Sequence, residues 1–98
     1  MIMQKITKES VYAFLSRTNY KKQNMRIANG CMYLYGNKIA WFDINNQLWI
    51  HHCGYKTRTT RNRLVALPNV HIVQRQGTWY LNGEPWTDGQ PKCIGRVS

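Results

Sequence analysis

Residues 25–52 read MRIANGCMYLYGNKIAWFDINNQLWIHH, and this stretch decides the fold. Short runs of β-forming side chains alternate with pairs of residues that turn the chain. Met25 to Ala28 stops at Asn29-Gly30, Cys31 to Tyr35 at Gly36-Asn37, and Lys38 to Asp43 shortly before Asn45-Asn46; Gln47 to His52 completes the set. Asn-Gly is a strong hairpin signal, because the tight turns that match strand twist need positive φ at their central positions. Strands joined by two-residue turns are antiparallel. The stretch therefore predicts a four-stranded meander.

Working outward, residues 1–7 read as a short lead-in, with Thr7 suited to capping a helix. Val11, Phe14 and Leu15 stand at i, i+3 and i+4, which predicts a short amphipathic helix over 8–17. Residues 18–24 are polar and basic and read as a loop. Beyond the meander, Gly54 ends the last strand, and Thr59 or Thr60 would cap a second helix over 61–67 with Leu64 and Leu67 inward. Pro68-Asn69 stops it. Val70 to Arg75, the turn Gln76-Gly77 and Thr78 to Leu81 form a hairpin, and Asn82-Gly83 turns into a short extended piece ending at Trp86. Residues 87–98 hold Gly89, Pro91 and Gly95 without periodicity and read as a weakly ordered tail. The expectation is one small α+β domain over 1–86, in the order α-β-β-β-β-α-β-β. Its twisted antiparallel sheet, a meander plus a C-terminal hairpin, packs with one or two short helices.

The chain has 98 residues, 43% hydrophobic and 18% charged, which suits a single folded domain. Lys+Arg number 14 against Asp+Glu 4, a net charge of +10. Such a balance excludes an acidic mimic of DNA and points to a polyanionic partner. Cys31, Cys53 and Cys93 are odd in number and far apart, so reduced thiols are expected rather than a disulfide framework. No apolar run is long enough to span a bilayer, and no signal-peptide pattern opens the sequence; a cytoplasmic protein without membrane contact is expected.

Lys56-Thr57-Arg58-Thr59-Thr60-Arg61-Asn62-Arg63 places four cations and three hydroxyls in eight positions with no acid among them. Backbone N–H groups at a helix start, threonine hydroxyls and guanidinium forks together suit a phosphate. The candidate anion-binding residues are Lys56, Arg58, Thr59, Thr60, Arg61 and Arg63. The plainer alternative is a threonine cap beside solvated arginines. A second basic group, Arg17, Lys21, Lys22 and Arg26, joins the first into one electropositive face if both lie on the same side. Tyr33, Tyr35 and Trp49 form a candidate base-stacking set on a sheet face. Cross-strand aromatic pairing that merely stabilises a small sheet is the reading the sequence favours for them. Alternation assigns Trp41, with Ile39, to the core.

Catalysis has little support. Glu9, Asp43, Glu84 and Asp88 are the only carboxylates and none is paired at useful spacing. His51 or His52 acting on RNA is the one enzymatic alternative. His51, His52 and Cys53 are adjacent, yet no C-x-x-C or H-x-x-x-H spacing accompanies them, so neither metal nor cofactor is expected. They read as a buried Cys53 beside surface histidines.

Several blocks together resemble a group of small tailed-bacteriophage proteins: Ala13-Phe14-Leu15-Ser16-Arg17, then Tyr33 to Ala40, then Gly54 to Leu64, and finally Gln74, Trp79-Tyr80-Leu81-Asn82-Gly83 and Trp86. The resemblance covers about residues 13–86. It implies a phage product acting in the host bacterial cytoplasm, and it carries over no catalytic residue. The expected function is a non-enzymatic basic accessory protein that binds DNA or RNA through the loop and helix start around Lys56–Arg63. The alternative is an inhibitor that docks on an acidic surface of a host protein or defence complex. Monomer and homodimer are both compatible with the sequence.

Overall fold

The computed structural model of the chain describes residues 5–97. Residues 1–4 of the expected lead-in, and Ser98 of the expected tail, lie outside the described residues. The rest forms two helices and nine strands. Helix α1 (Lys5–Leu15) takes in residues 5–7, so Thr7 lies within it and does not cap it. Its buried stripe is Thr7, Ser10, Ala13 and Phe14, rotated from the expected Val11–Phe14–Leu15 face. Small residues let the helix approach the sheet closely. Phe14 then stacks on Phe42 with ring centroids 4.9 Å apart.

The meander forms as read, with one strand more. Strand β1 (Tyr20–Lys22) lies in the segment expected to be a loop. It pairs antiparallel with β2 (Met25–Ala28), Lys21 opposite Arg26. Consecutive lysines hide any alternation, and they suit an edge strand because charge discourages pairing with another chain. Strands β3 (Cys31–Leu34), β4 (Asn37–Phe42) and β5 (Gln47–Ile50) follow. The turn between β3 and β4 is Tyr35-Gly36, one residue earlier than expected, with Leu34 opposite Asn37. Tyr35 there has φ 52° and Gly36 φ 82°, so Tyr35 leaves the strand.

Helix α2 (Arg58–Val65) starts earlier than expected because Thr57, not Thr59 or Thr60, caps it. The Thr57 hydroxyl accepts the Thr60 N–H at 3.2 Å. Strands β6 (Ile72–Arg75), β7 (Thr78–Leu81) and β8 (Glu84–Pro85) make a separate three-stranded sheet. Its two turns, Gln76-Gly77 and Asn82-Gly83, carry positive φ at both positions.

The expected tail is corrected from residue 92 onward. Strand β9 (Lys92–Arg96) pairs antiparallel with β5 and completes a six-stranded sheet of order β1-β2-β3-β4-β5-β9. A register shift lies between its partners Leu48 and Trp49, and Gly95 has φ 103°. A strand broken by a bulge and a glycine shows no two-residue period, which is why it read as irregular. Met25, Ile27, Met32, Leu34, Ala40, Leu48 and Ile50 point from one face of this sheet into the core. There they join Phe14 of α1, Leu64 of α2, and Trp79 and Trp86 of the second sheet's region in one buried cluster.

Candidate nucleic-acid interface

Both helices and the small sheet contribute to the buried cluster, so they occupy one side of the six-stranded sheet. The opposite face carries a different population, set by register. Residues directly opposite on neighbouring strands project from the same face. One row runs Lys21, Arg26, Tyr33, Lys38 across β1 to β4. The next runs Cys31, Trp41, Trp49, Cys93 across β3, β4, β5 and β9.

Trp41 reaches this face through a bulge. Ala40 stands opposite Met32 and Lys38 opposite Tyr33, which leaves Ile39 as the extra residue. Beyond a bulge, alternation changes phase. Ile39 and Ala40 are both buried, and Trp41 turns outward instead of joining the core as expected. The same shift puts Lys38 and Trp41, three residues apart, on one face.

Cations and rings interleave there. The Arg26 guanidinium lies 4.8 Å from the Tyr33 ring centroid, and the Lys38 ammonium 4.6 Å from that of Trp41. Trp41 and Trp49 are parallel to within 4°, with centroids 6.4 Å apart. The Trp49 indole N–H donates to Asp43 Oδ2 at 2.8 Å. That bond, with the Gln47 and Asn45 backbone N–H groups, holds the Asp43 carboxyl below its usual range. Tyr33, Trp41 and Trp49 are half-buried. Tyr35 is not among them. It projects from the turn, 69% exposed, and its hydroxyl accepts from Asn24 Nδ2 at 3.2 Å.

The two basic groups read from sequence are each divided by the fold. Lys56 and Arg58 are exposed and Thr59 is half-buried. Arg61 donates from Nη1 to Gln74 Oε1 at 3.3 Å. Thr60 is buried against Thr57, and Arg63 is only 4% exposed, donating from Nη1 to Thr7 Oγ1 at 2.7 Å. Burial lowers the Arg63 pKa. Arg63 thus ties α2 to α1 inside the domain, and the surface set narrows to Lys56, Arg58 and Arg61. In the other group, Lys21 and Arg26 stand on the open face. Arg17 packs 3.8 Å from the Phe42 ring centroid and donates to Asn46 Oδ1 at 2.8 Å. Lys22 lies 3.9 Å from Glu9 on the side facing α1.

The histidine pair departs from expectation. His52 is buried, its ring 4.6 Å from Trp86 and 5.9 Å from Trp79 between centroids. Its Nδ1 accepts the Gly54 N–H at 2.9 Å. Burial pushes the imidazole below its usual pKa; the Asp88 carbonyl pulls the other way without reversing the shift. Cys53 is half-buried and donates from Sγ to the Lys38 carbonyl at 3.1 Å. Sequence reasoning missed Lys38 and Trp41 as members of the open face. Their three-residue spacing is the signal, but it reads correctly only once the bulge is known.

The family model described as Kyanoviridae Gp96 protein matches residues 3–92. No curated protein and no solved structure matches the chain. Among the described residues, no helix is long and apolar enough to cross a membrane.

Proposed function

This chain belongs to the Kyanoviridae Gp96 protein family, and we propose that this phage protein binds single-stranded nucleic acid on the open face of its six-stranded sheet. One observation carries the reading: on that face the register alternates cations with rings, Arg26 over Tyr33 and Lys38 over Trp41. Bases offer a π-face to an aromatic ring whatever their sequence, and phosphates follow the cations. The ion pairs among the described residues join Lys22 to Glu9 and Lys92 to Asp88, so Lys21, Arg26 and Lys38 keep their charge for an external anion. Simple cross-strand stabilisation accounts for Trp41 against Trp49. It does not account for three cations with no carboxylate partner on the same face. A duplex hides its base faces, so part-open rings interleaved with cations favour an unpaired strand.

The test is fluorescence anisotropy with labelled single-stranded and duplex oligonucleotides of DNA and RNA. Tighter binding of single strands at physiological salt is expected. Tyr33→Leu keeps an apolar residue in the sheet and removes the stacking ring, at a cost of about 1–3 kcal/mol for the lost stack. Equal affinity for duplex, or a Tyr33→Leu variant that binds as tightly as the native protein, overturns the proposal.

A further inference from the structure

A cavity of about 250 Å³ lies between the β3–β4 turn and the start of α2. We infer that it receives one unstacked nucleobase of the bound strand; this rests on the single-strand reading above. Leu34 and Ile39 give it an apolar lining, and the Asn37 amide and Thr57 hydroxyl supply polar groups. Tyr35 and Tyr55 belong to the same lining, 69% and 57% exposed. The volume is below the ~300–1,000 Å³ of sites for drug-sized ligands and suits a single flat ring. Apolar walls with a few placed hydrogen-bonding groups are what a base requires, since its faces are apolar and its edge is polar.

Among the described residues, Tyr35 is the one aromatic with positive φ. It holds φ 52° in a turn position that favours asparagine or glycine. A bulky side chain in the left-handed region is an outlier that asks for an explanation. Here the strained position puts a ring, tethered through its hydroxyl to Asn24, beside the cavity. Tyr35 also lines a shallow depression with Lys21, Asn24 and Arg26, so it stands between the cavity and the first members of the cation row. A strand leaving Lys21 and Arg26 through that depression reaches Tyr35. Lys56 and Arg58 flank Thr57 in sequence and are exposed, which places positive charge beside the cavity for the adjoining phosphates.

The test uses the full chain, labelled with ¹⁵N and titrated separately with adenosine, guanosine, cytidine and uridine 5′-monophosphates, then with an unlabelled single-stranded oligonucleotide. Tyr55→Ala and Tyr35→Gly serve as variants. The glycine relieves the positive φ, so loss of folding does not cloud the result. At least one mononucleotide is expected to shift the amides of Asn37, Tyr55 and Thr57, and both variants are expected to weaken that response about tenfold. The variants keep oligonucleotide-induced shifts at Tyr33 and Trp49. If the oligonucleotide moves Tyr33 and Trp49 while nothing moves the cavity amides, the base-pocket inference is wrong and the sheet reading stands. If the oligonucleotide moves neither set, the single-strand reading fails and the pocket inference falls with it. If mononucleotides move the cavity amides but no oligonucleotide binds, the cavity is a free-nucleotide site and the inference as stated is overturned.

Discussion

Replacing Lys21, Arg26 and Lys38 together by glutamine separates the charge of the open face from its rings. The three lie in one cross-strand row and have no carboxylate partner among the described ion pairs. Glutamine keeps part of each methylene stem, so Tyr33 and Trp41 retain some of their cover. Loss of the two cation–ring contacts costs about 0.5–1 kcal/mol each, which a thermal melt should register as a small shift and not as unfolding. Each phosphate neutralised on a single strand adds about 0.7 to the slope of log K against log salt, so three contacts add about 2. Raising salt from ~50 to ~200 mM should then weaken the native protein about twentyfold more than the triple variant. Lys22→Gln is the matched control: it is the next residue along β1, opposite buried Met25, and lies near Glu9. Its salt slope should follow that of the native protein. Anisotropy across a salt series measures both. Parallel slopes for the triple variant and the native protein would refute the reasoning, as would a loss of slope in Lys22→Gln alone.

Further outcomes concern stability. Phe14→Ala removes a fully buried ring stacked on Phe42, and urea unfolding should report a loss of about 3–5 kcal/mol. Asn82 holds φ 50°, accepts the His71 N–H at 2.9 Å and donates to the Asn69 carbonyl at 3.0 Å. Asn82→Ala should cost roughly 2–3 kcal/mol from strain plus lost bonds, and Asn82→Gly should recover the strain component only. His52 has a lowered pKa, with His51 and Lys56 adding to the effect of burial and Asp88 opposing it. As pH falls below the unfolded value of ~6.5, the unfolded chain takes up a proton that the folded His52 declines. Stability is therefore full above that value and falls with pH until the folded pKa is reached. Urea midpoints at neutral and mildly acidic pH should diverge in the native protein and less so in His52→Phe.

The hairpins were legible because turn chemistry is local. Asn29-Gly30 and Asn82-Gly83 adopt the positive φ that their residue types favour, and Gly77 carries the turn at Gln76-Gly77. The strands Met25–Ala28 and Thr78–Leu81 fall where the sequence places them. Register beyond the turns was less legible. The bulge at Ile39 reassigns Trp41 from core to open face, and nothing in Lys38-Ile39-Ala40-Trp41 announces it. Strand β9 depends on a partner more than forty residues away in sequence, so its pairing has no local signature. Arg63 is a different case. Thr60, Arg63, Leu64 and Leu67 stand at i, i+3, i+4 and i+7, and all four are buried. The stripe is readable, but a charged residue within it reads as surface by type, whereas Arg63 is buried. Tyr35 left its strand because Gly36 serves as the second, not the first, central residue of the turn.

The pairing of β9 with β5 also sets an order of assembly. Strands β1 to β4 are joined by two-residue turns, and each of those contacts closes on neighbouring chain. Hairpins of that kind form in about 1–10 μs. The Lys21–Lys38 row is complete within that contiguous stretch, before any distant segment has to arrive. The tryptophan row is not: its outer flank is Cys93, delivered only when the chain has passed through α2 and the small sheet. The β9 pairing therefore closes a far longer stretch of chain than any hairpin of β1 to β4. Amides paired between β5 and β9, at the edge of the sheet, should exchange with solvent faster than those between β3 and β4 in its interior.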